Sequence, residues 1–529
     1  MKRLLLAVLL GAACKSAPPP KPSTDTADAG QPVSTIPEAP VKAAEPVPPR
    51  PFAATQPLQL VKLPTPRPVV SIRLAFRTGS VDDPPGKEGL TALTTRLLLE
   101  GGTKTYSSGQ LLDALYPLAG DIDGTTDKEL TVMSGRVHKD KLDAFLKIFS
   151  EVLLEPRFDE KELERLKTAA LNSIKNRLRS ENDELLSRVQ LDALLYEGHP
   201  YRHYIGGTVA GVSSITMADV KAHWKNVFTQ DRLIIGLAGP VDAKLEKLVK
   251  DAAKKLPEKG VAAVALPAAP GPHGQALIVK KDTASTAGAF GLTYSLRRGD
   301  PDFFAVALAM SYLGEHRQMH GVLFTELREK RGLNYGTYAY AEHFEQEGWS
   351  SISRVNIPRS VQDMSIWLRP VEPQNALFAT RGAVHFFRQL LAEPPPQDKL
   401  DTARGFLIGY TRIWEQTDSR RLGWAIDDLL YGTPGFLEQY RAALAKLTPV
   451  EVQTVAAKHL RAENLNFVFV TRDAEGLASA LQNRVPSPIT YPSPKPPDVT
   501  EKDTVIAEVP LPIPASQVRV IEASQVMEK

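Results

Sequence analysis

Residue types suited to chemistry are few along these 529 residues. His316 and His320 stand four apart, a spacing that sets two imidazoles on one helix face and could begin a metal site. Such a site needs a third ligand and a base. Glu315 and Glu326 do not offer the spacing, and Arg317 lies next to His316. The two therefore read as surface histidines. Cys14 is the single cysteine, so no intramolecular disulfide and no cysteine-based zinc site can form. The most specific motif is Leu323 to Tyr335, LFTELREKRGLNY. Met319, Leu323 and Leu327 recur every four residues and predict a buried helical stripe. Gly332 can end that helix, and Tyr335 to Ala341 predicts a strand. Taken by themselves, Arg328 reads as a solvated helix cation and Tyr335 as a strand-packing ring.

The elements that carry these residues belong to an ordinary globular body. Hydrophobic residues make up 43% and charged residues 24%. Lys+Arg number 64 and Asp+Glu 61, so no strong field points to nucleic acid. The start differs from the rest. Lys2 and Arg3 precede an apolar run, Leu4 to Leu10, and small residues lead to Cys14. This predicts a secretory signal over 1–14 that resembles a lipobox, with Cys14 lipidated and the protein anchored in the cell envelope, facing the periplasm. Residues 15–56 are rich in proline and predict a disordered tether. No later run is long and apolar enough for a membrane helix.

The body repeats itself. Ile215-Thr216-Met217-Ala218-Asp219-Val220 precedes Leu233-Ile234-Ile235-Gly236-Leu237. Leu447-Thr448-Pro449-Val450-Glu451-Val452 precedes Leu465-Asn466-Phe467-Val468-Phe469 at the same spacing of 17 residues. Each threonine starts a capping box, with an acid at the third helical position answering free backbone N–H groups. Pro449 stands at the first helical position, where its missing donor costs nothing. Each half also opens on a strand region, Val69 to Phe76 and Phe290 to Leu296, and passes through long helices. The fold class is α+β, a tandem duplication of a mixed sheet with helices. Domains are expected at 57–256 and 275–484, with a linker at 257–274. The tail, 485–529, is proline-rich and contains a strand-like piece, Val518 to Ile521. It either packs on the body or extends from it.

One more helix is predicted after Gly79-Ser80-Val81-Asp82-Asp83-Pro84-Pro85-Gly86-Lys87-Glu88-Gly89. Leu90, Leu93 and Leu97 share its buried face, and Gly101-Gly102 ends it. Here the chain resembles the pitrilysin, insulysin and mitochondrial processing peptidase family over about residues 57–484. Tyr196-Glu197-Gly198-His199-Pro200-Tyr201 and Gly206 match a recurrent pattern there, with His199 read as a turn residue. In that family the helix carries His-x-x-Glu-His, which binds zinc and activates water. The corresponding residues here are Ala92, Thr95 and Arg96. A further ligand glutamate of the family falls on Ser173, 77 residues after Arg96. Alanine offers no ligand atom, threonine is no base at neutral pH, and arginine repels a metal. No zinc is expected at this site. By the same resemblance Arg328 and Tyr335 are the pair that contacts substrate near the scissile carbonyl, where a guanidinium and a phenol could hold backbone carbonyls and a developing oxyanion, although Glu315-His316-Arg317-Gln318 replaces the small residues usual before that helix.

Some members of the family work as two chains, one with the zinc helix and one with the Arg and Tyr. The resemblance therefore implies a degenerate subunit, inactive alone, that orients peptide for a homologous partner chain holding the zinc. The rival expectation is a peptide-binding or structural envelope lipoprotein. An independent metallopeptidase with displaced ligands is a third.

Overall fold

The protein is described by a computed structural model covering residues 35–41, 45–315, 318–348 and 352–529. Cys14, the signal and the first part of the tether lie outside the described residues, as do His316 and Arg317.

Two sheets carry the body. The first contains β1 (Gln59–Pro64), β2 (Val69–Phe76), β3 (Asp121–Thr126), β4 (Thr131–His138) and β5 (Leu233–Gly239), in the order β1-β5-β2-β4-β3. The second contains β6 (Ala276–Lys280), β7 (Thr286–Tyr294), β8 (Thr337–Tyr340), β9 (Gln362–Val371), β10 (Asn466–Thr471) and β11 (Val518–Glu522), in the order β11-β6-β10-β7-β9-β8. Without β11 the two orders are identical. The pairings agree as well: β1 and β5 are parallel, as are β6 and β10, while the other shared pairs are antiparallel. The tandem α+β duplication is thus written in the topology. Both capping boxes form as expected, at Thr216 with Asp219 and at Thr448 with Glu451.

Central strands of both sheets are apolar on both faces. β5 and β10 are buried at every residue, so each sheet needs cover on two sides. One cover is exchanged between the halves. The helix Asp183–Leu195, from the first half, lies on β7 and β10 of the second. Its Leu186, Val189 and Leu194 pack with Val279, Ala289 and Val468. In return the helix Asp418–Tyr431 lies on β5 and β1, packing Leu422, Ile426 and Leu430 against Ala75, Ile234 and Ala238. A side chain at Gly236 would meet Ile426 at 3.0 Å and Leu422 at 3.2 Å, so glycine permits this close approach. Each leucine so buried contributes about 2 kcal/mol.

Polar side chains register the contact. Arg359 grips Asp127 with both guanidinium nitrogens, the Nη2–Oδ1 distance being 3.0 Å. Their side chains are 2% and 4% exposed. Ser360 donates from its N–H (2.7 Å) and its hydroxyl (2.8 Å) to Glu129, and Tyr196 donates to Asp363 at 3.1 Å.

Three expectations are corrected. The tether does not extend to residue 56. Ile36 and Ala39 are buried, Val47 bridges Ala269 in the linker, and the Arg50 and Ala53 amides bond the Ser360 and Leu430 carbonyls. Proline-rich chain can be ordered when its few amides find fixed acceptors. Met319 is not part of the buried stripe: it is 66% exposed, whereas Leu323 and Leu327 are fully buried. The strand expected from Phe290 to Leu296 runs from Thr286 to Tyr294, and β6 rather than this strand opens the second half. The tail, open in the sequence, packs on the body through the helix Pro497–Ala507 and through β11, parallel to β6. Among the described residues no helix is long and apolar enough to cross a membrane.

Removing one partner of a buried ion pair strands the other charge. Arg359→Met should therefore lower unfolding stability by about 3–5 kcal/mol in urea titrations. Adding Asp127→Asn should restore much of that loss. A single variant as stable as the parent would show that the pair does not register the halves.

Candidate functional site: a degenerate metal helix

The helix Leu90–Glu100 starts at Gly89, whose φ of 102° favours glycine. Asp83 caps it, accepting from the amides of Gly89 (2.8 Å) and Thr91 (2.7 Å) and from the Thr91 hydroxyl (2.6 Å). His223 and His203 reach the same cap, at 2.8 Å from Thr91 and 3.3 Å from Asp83. This polar cap was not foreseen from sequence, and Asp83, six residues ahead of Gly89, was the available signal. Leu90, Leu93 and Leu97 pack as expected on Leu163, Leu166, Ile215, Met217 and Val220.

Ala92 and Arg96 face a cavity of about 100 Å³. Ser173 also lines it, with Ala170, Ile174, Tyr204, Gly206 and Val212. The structure therefore brings together three of the four positions read from sequence. Ser173 opens a π-helical stretch, Ser173–Glu181, that continues the helix Glu160–Asn172, and widened turns of this kind recur at functional sites. Thr95 turns elsewhere. It is buried, donates to the Thr91 carbonyl at 2.9 Å and accepts from Thr126 of β3 at 3.0 Å. The Arg96 guanidinium is held by Glu100 at 2.9 and 3.3 Å.

These residues do not fit zinc. The cavity lining contains no imidazole, thiolate or carboxylate, whereas zinc takes nitrogen, sulfur or carboxylate oxygen. Two other groups have ligand atoms within 4.8 Å of one another, Asp127–His343–Glu345 and Asp192–His343–Asp363. They belong to the ionic contact between the halves, where Arg359 and Lys128 already supply positive charge.

Arg328 and Tyr335 form a separate cluster and do not line the Ala92 cavity. Gly332, at φ 68°, ends the helical segment and turns the chain toward β8. The Arg328 guanidinium lies 4.3 Å from the Tyr335 ring centre and 4.6 Å from that of Phe324. Arg369 approaches the Tyr335 ring at 4.9 Å and pairs with Glu184 of the first half at 3.0 Å. Tyr335 is 61% exposed. Among the described residues Arg328 has no carboxylate partner. His320 lines a different cavity, with Lys330 and Lys502.

A duplicated α+β body built around this helix, with no zinc ligand lining its cavity, defines the class of fold. The profile of insulinase (peptidase family M16) matches residues 60–208, and that of the peptidase M16 inactive domain matches 214–366, together more than half of the chain. The chain belongs to this family. It is 25% identical over 286 residues to the uncharacterized zinc protease YmxG of Bacillus subtilis, covering 54% of this chain and 67% of that one. It is 24% identical to the non-peptidase homolog YmxG of Helicobacter pylori, covering 76% and 89%. The peptidase M16 inactive domain from Pseudomonas fluorescens superposes with a TM-score of 0.69 at 24% identity, covering 79% of this chain and 97% of that one.

His199, read as a turn residue, is buried, and its Nδ1 accepts from the Tyr201 amide at 3.0 Å. Burial pushes its imidazole down to about 4 from the usual 6.5. The folded state thus binds fewer protons than the unfolded chain below the ordinary histidine range. Stability should be complete above pH 6.5 and fall by on the order of 2 kcal/mol as pH drops to about 4. His199→Asn keeps a cap acceptor and removes the titration, so its urea midpoint should be less sensitive to acid. Equal sensitivity in both proteins would assign the acid loss to other groups.

Proposed function

We propose that this chain is the non-zinc subunit of a two-chain peptidase in the cell envelope. Its partner is a homologous chain with an intact His-x-x-Glu-His helix, and its substrate is peptide or unfolded protein. The observation that carries this reading is the Arg328–Tyr335 pair. An exposed phenol stacks on a guanidinium that no carboxylate of the described residues neutralises. Both groups are free to hold peptide carbonyls, and stacking limits the freedom they would lose on binding. Membership of a peptidase family, together with likeness to a non-peptidase homolog, supports a chain that keeps the fold without the metal chemistry. The zinc belongs to the partner. Export and lipidation at Cys14 are part of the same proposal.

Co-purification from the native envelope tests the partner. A stoichiometric companion with the zinc helix is expected, and isolation alone would favour a peptide-binding or structural lipoprotein. Within the complex, Arg328→Ala should reduce kcat/KM by about 10²-fold, the usual effect of losing one such donor. The complex should remain intact by gel filtration. Unchanged activity would remove Arg328 from the substrate site.

A further inference from the structure

We infer that a cavity where the N-terminal segment meets the linker binds a small monocarboxylate with an apolar body. The site lies in this chain alone and includes neither Arg328, Tyr335 nor Ala92, so the inference goes beyond the subunit reading. The cavity measures about 440 Å³. That is within the range of small-molecule sites, which favour junctions between domains and apolar walls with a few polar groups. Its apolar lining includes Phe52 from the N-terminal segment, Val81 from the first half, and Val264 and Leu266 from the linker. These segments are held in place. The Arg50 amide bonds the Ser360 carbonyl, the Val261 amide bonds the Asn226 carbonyl at 3.2 Å, and Arg232 donates to the Val261 carbonyl at 3.0 Å. Val264 is 44% exposed, so the cavity reaches solvent at the linker.

Charge identifies the occupant. The charged side chains in the lining are Arg77, Asp82, Glu129 and Arg232. All but Arg77 are committed. Arg232 donates to Asp82 at 3.0 Å, and Asp82 also accepts from the Thr78 hydroxyl at 2.7 Å. Glu129 accepts from Ser360 and from the Tyr201 hydroxyl. The Arg77 guanidinium makes a single bond, from Nη2 to the Asp231 carbonyl at 2.9 Å. Its Nε is buried with no hydrogen-bond partner, and among the described residues it has no carboxylate partner. The nearby Asp231 carboxylate takes the Thr229 hydroxyl instead. Burial lowers the Arg77 pKa, with Asp231 opposing and Arg232 adding to the effect, so a bound anion would stabilise the charged form. A planar guanidinium fork matches a carboxylate. One free cation balances one negative charge, whereas a phosphate dianion would bring a second into a cavity that already holds Asp82 and Glu129. An apolar cavity of about 150 Å³ accommodates benzene, so 440 Å³ takes a ring with a short chain.

The probes are 4-phenylbutyrate, its neutral amide 4-phenylbutanamide and 4-phenylbutyl phosphate, each titrated into the purified full chain by calorimetry. The acid should bind about tenfold or more tightly than the amide and the phosphate. Arg77→Met should bring the acid to the level of the amide and leave the amide unchanged. Ala263→Trp, at an exposed linker residue that lines the cavity, should weaken acid and amide alike. It serves where Arg77→Met does not fold, as judged by its melting curve. Equal binding of acid and amide, tighter binding of the phosphate, absence of binding, or an affinity for the acid that survives both substitutions would overturn the site. No result depends on a partner chain or on hydrolysis, so this inference and the subunit reading fail separately.

Discussion

Everything in this molecule depends on sheets that are apolar on both faces. A strand buried at every residue, as β5 and β10 are, cannot leave either face to water. Each half covers one face with its own helices and takes the second cover from its neighbour. The exchange is reciprocal, so neither half has a finished core alone. Gly236 shows how closely the borrowed helix sits, because even a methyl group there would press on Ile426 and Leu422. Nonpolar contact supplies the energy, and the Asp127–Arg359 and Glu129–Ser360 contacts fix the register. The geometry of the metal helix is inherited from this frame and does not require a metal to keep it.

That independence explains how the site keeps its shape with no metal ligand in its lining. A carboxylate or imidazole kept in a half-buried cavity with no metal carries a desolvation cost and no compensating bond. Its replacements each meet a different local need. Alanine at 92 has nothing to satisfy. Thr95 bonds its own helix and β3, which ties sheet to helix. Arg96 finds Glu100 one turn on. Arg328, in contrast, has kept a guanidinium with no carboxylate among the described residues, and Tyr335 has kept an exposed ring.

Local signals were the readable part of the sequence. The capping boxes at Thr216 and Thr448, the leucines of the metal helix and the stop at Gly101 depend on neighbours within a few residues, and all appear where spacing puts them. Ser173 was reached through the family resemblance, and it does line the same cavity as Ala92 and Arg96. Strands β1 and β6 escaped notice: they are short, and β6 is identified by its pairing with β10 and β11 rather than by alternation. Met319 misled because a four-residue period continues past the point where the backbone leaves the helix. The Asp83 cap lay outside the capping-box pattern, since its carboxylate reaches six residues ahead.

The terminal segments were the least legible, and the reason is physical. Composition reports whether a segment can build a core, not whether it can complete one built elsewhere. The solved relative from Pseudomonas fluorescens is covered almost entirely by 79% of this chain, so about a fifth of the chain is additional to that shared body. Both ends contribute stitches. The N-terminal segment reaches the linker at Ala269, the second half at Ser360 and the exchanged helix at Leu430. The C-terminal segment adds β11 to the second sheet and then crosses to the first half. There the Met527 and Glu528 carbonyls accept from the Val209 and Ala210 amides, and Arg179 donates to the Val526 carbonyl at 2.6 Å. Those acceptors satisfy donors at the start of the short helix Val209–Ser214, which contributes Val212 to the wall of the Ala92 cavity. Opening that wall therefore means breaking bonds to a strand anchored in the other half.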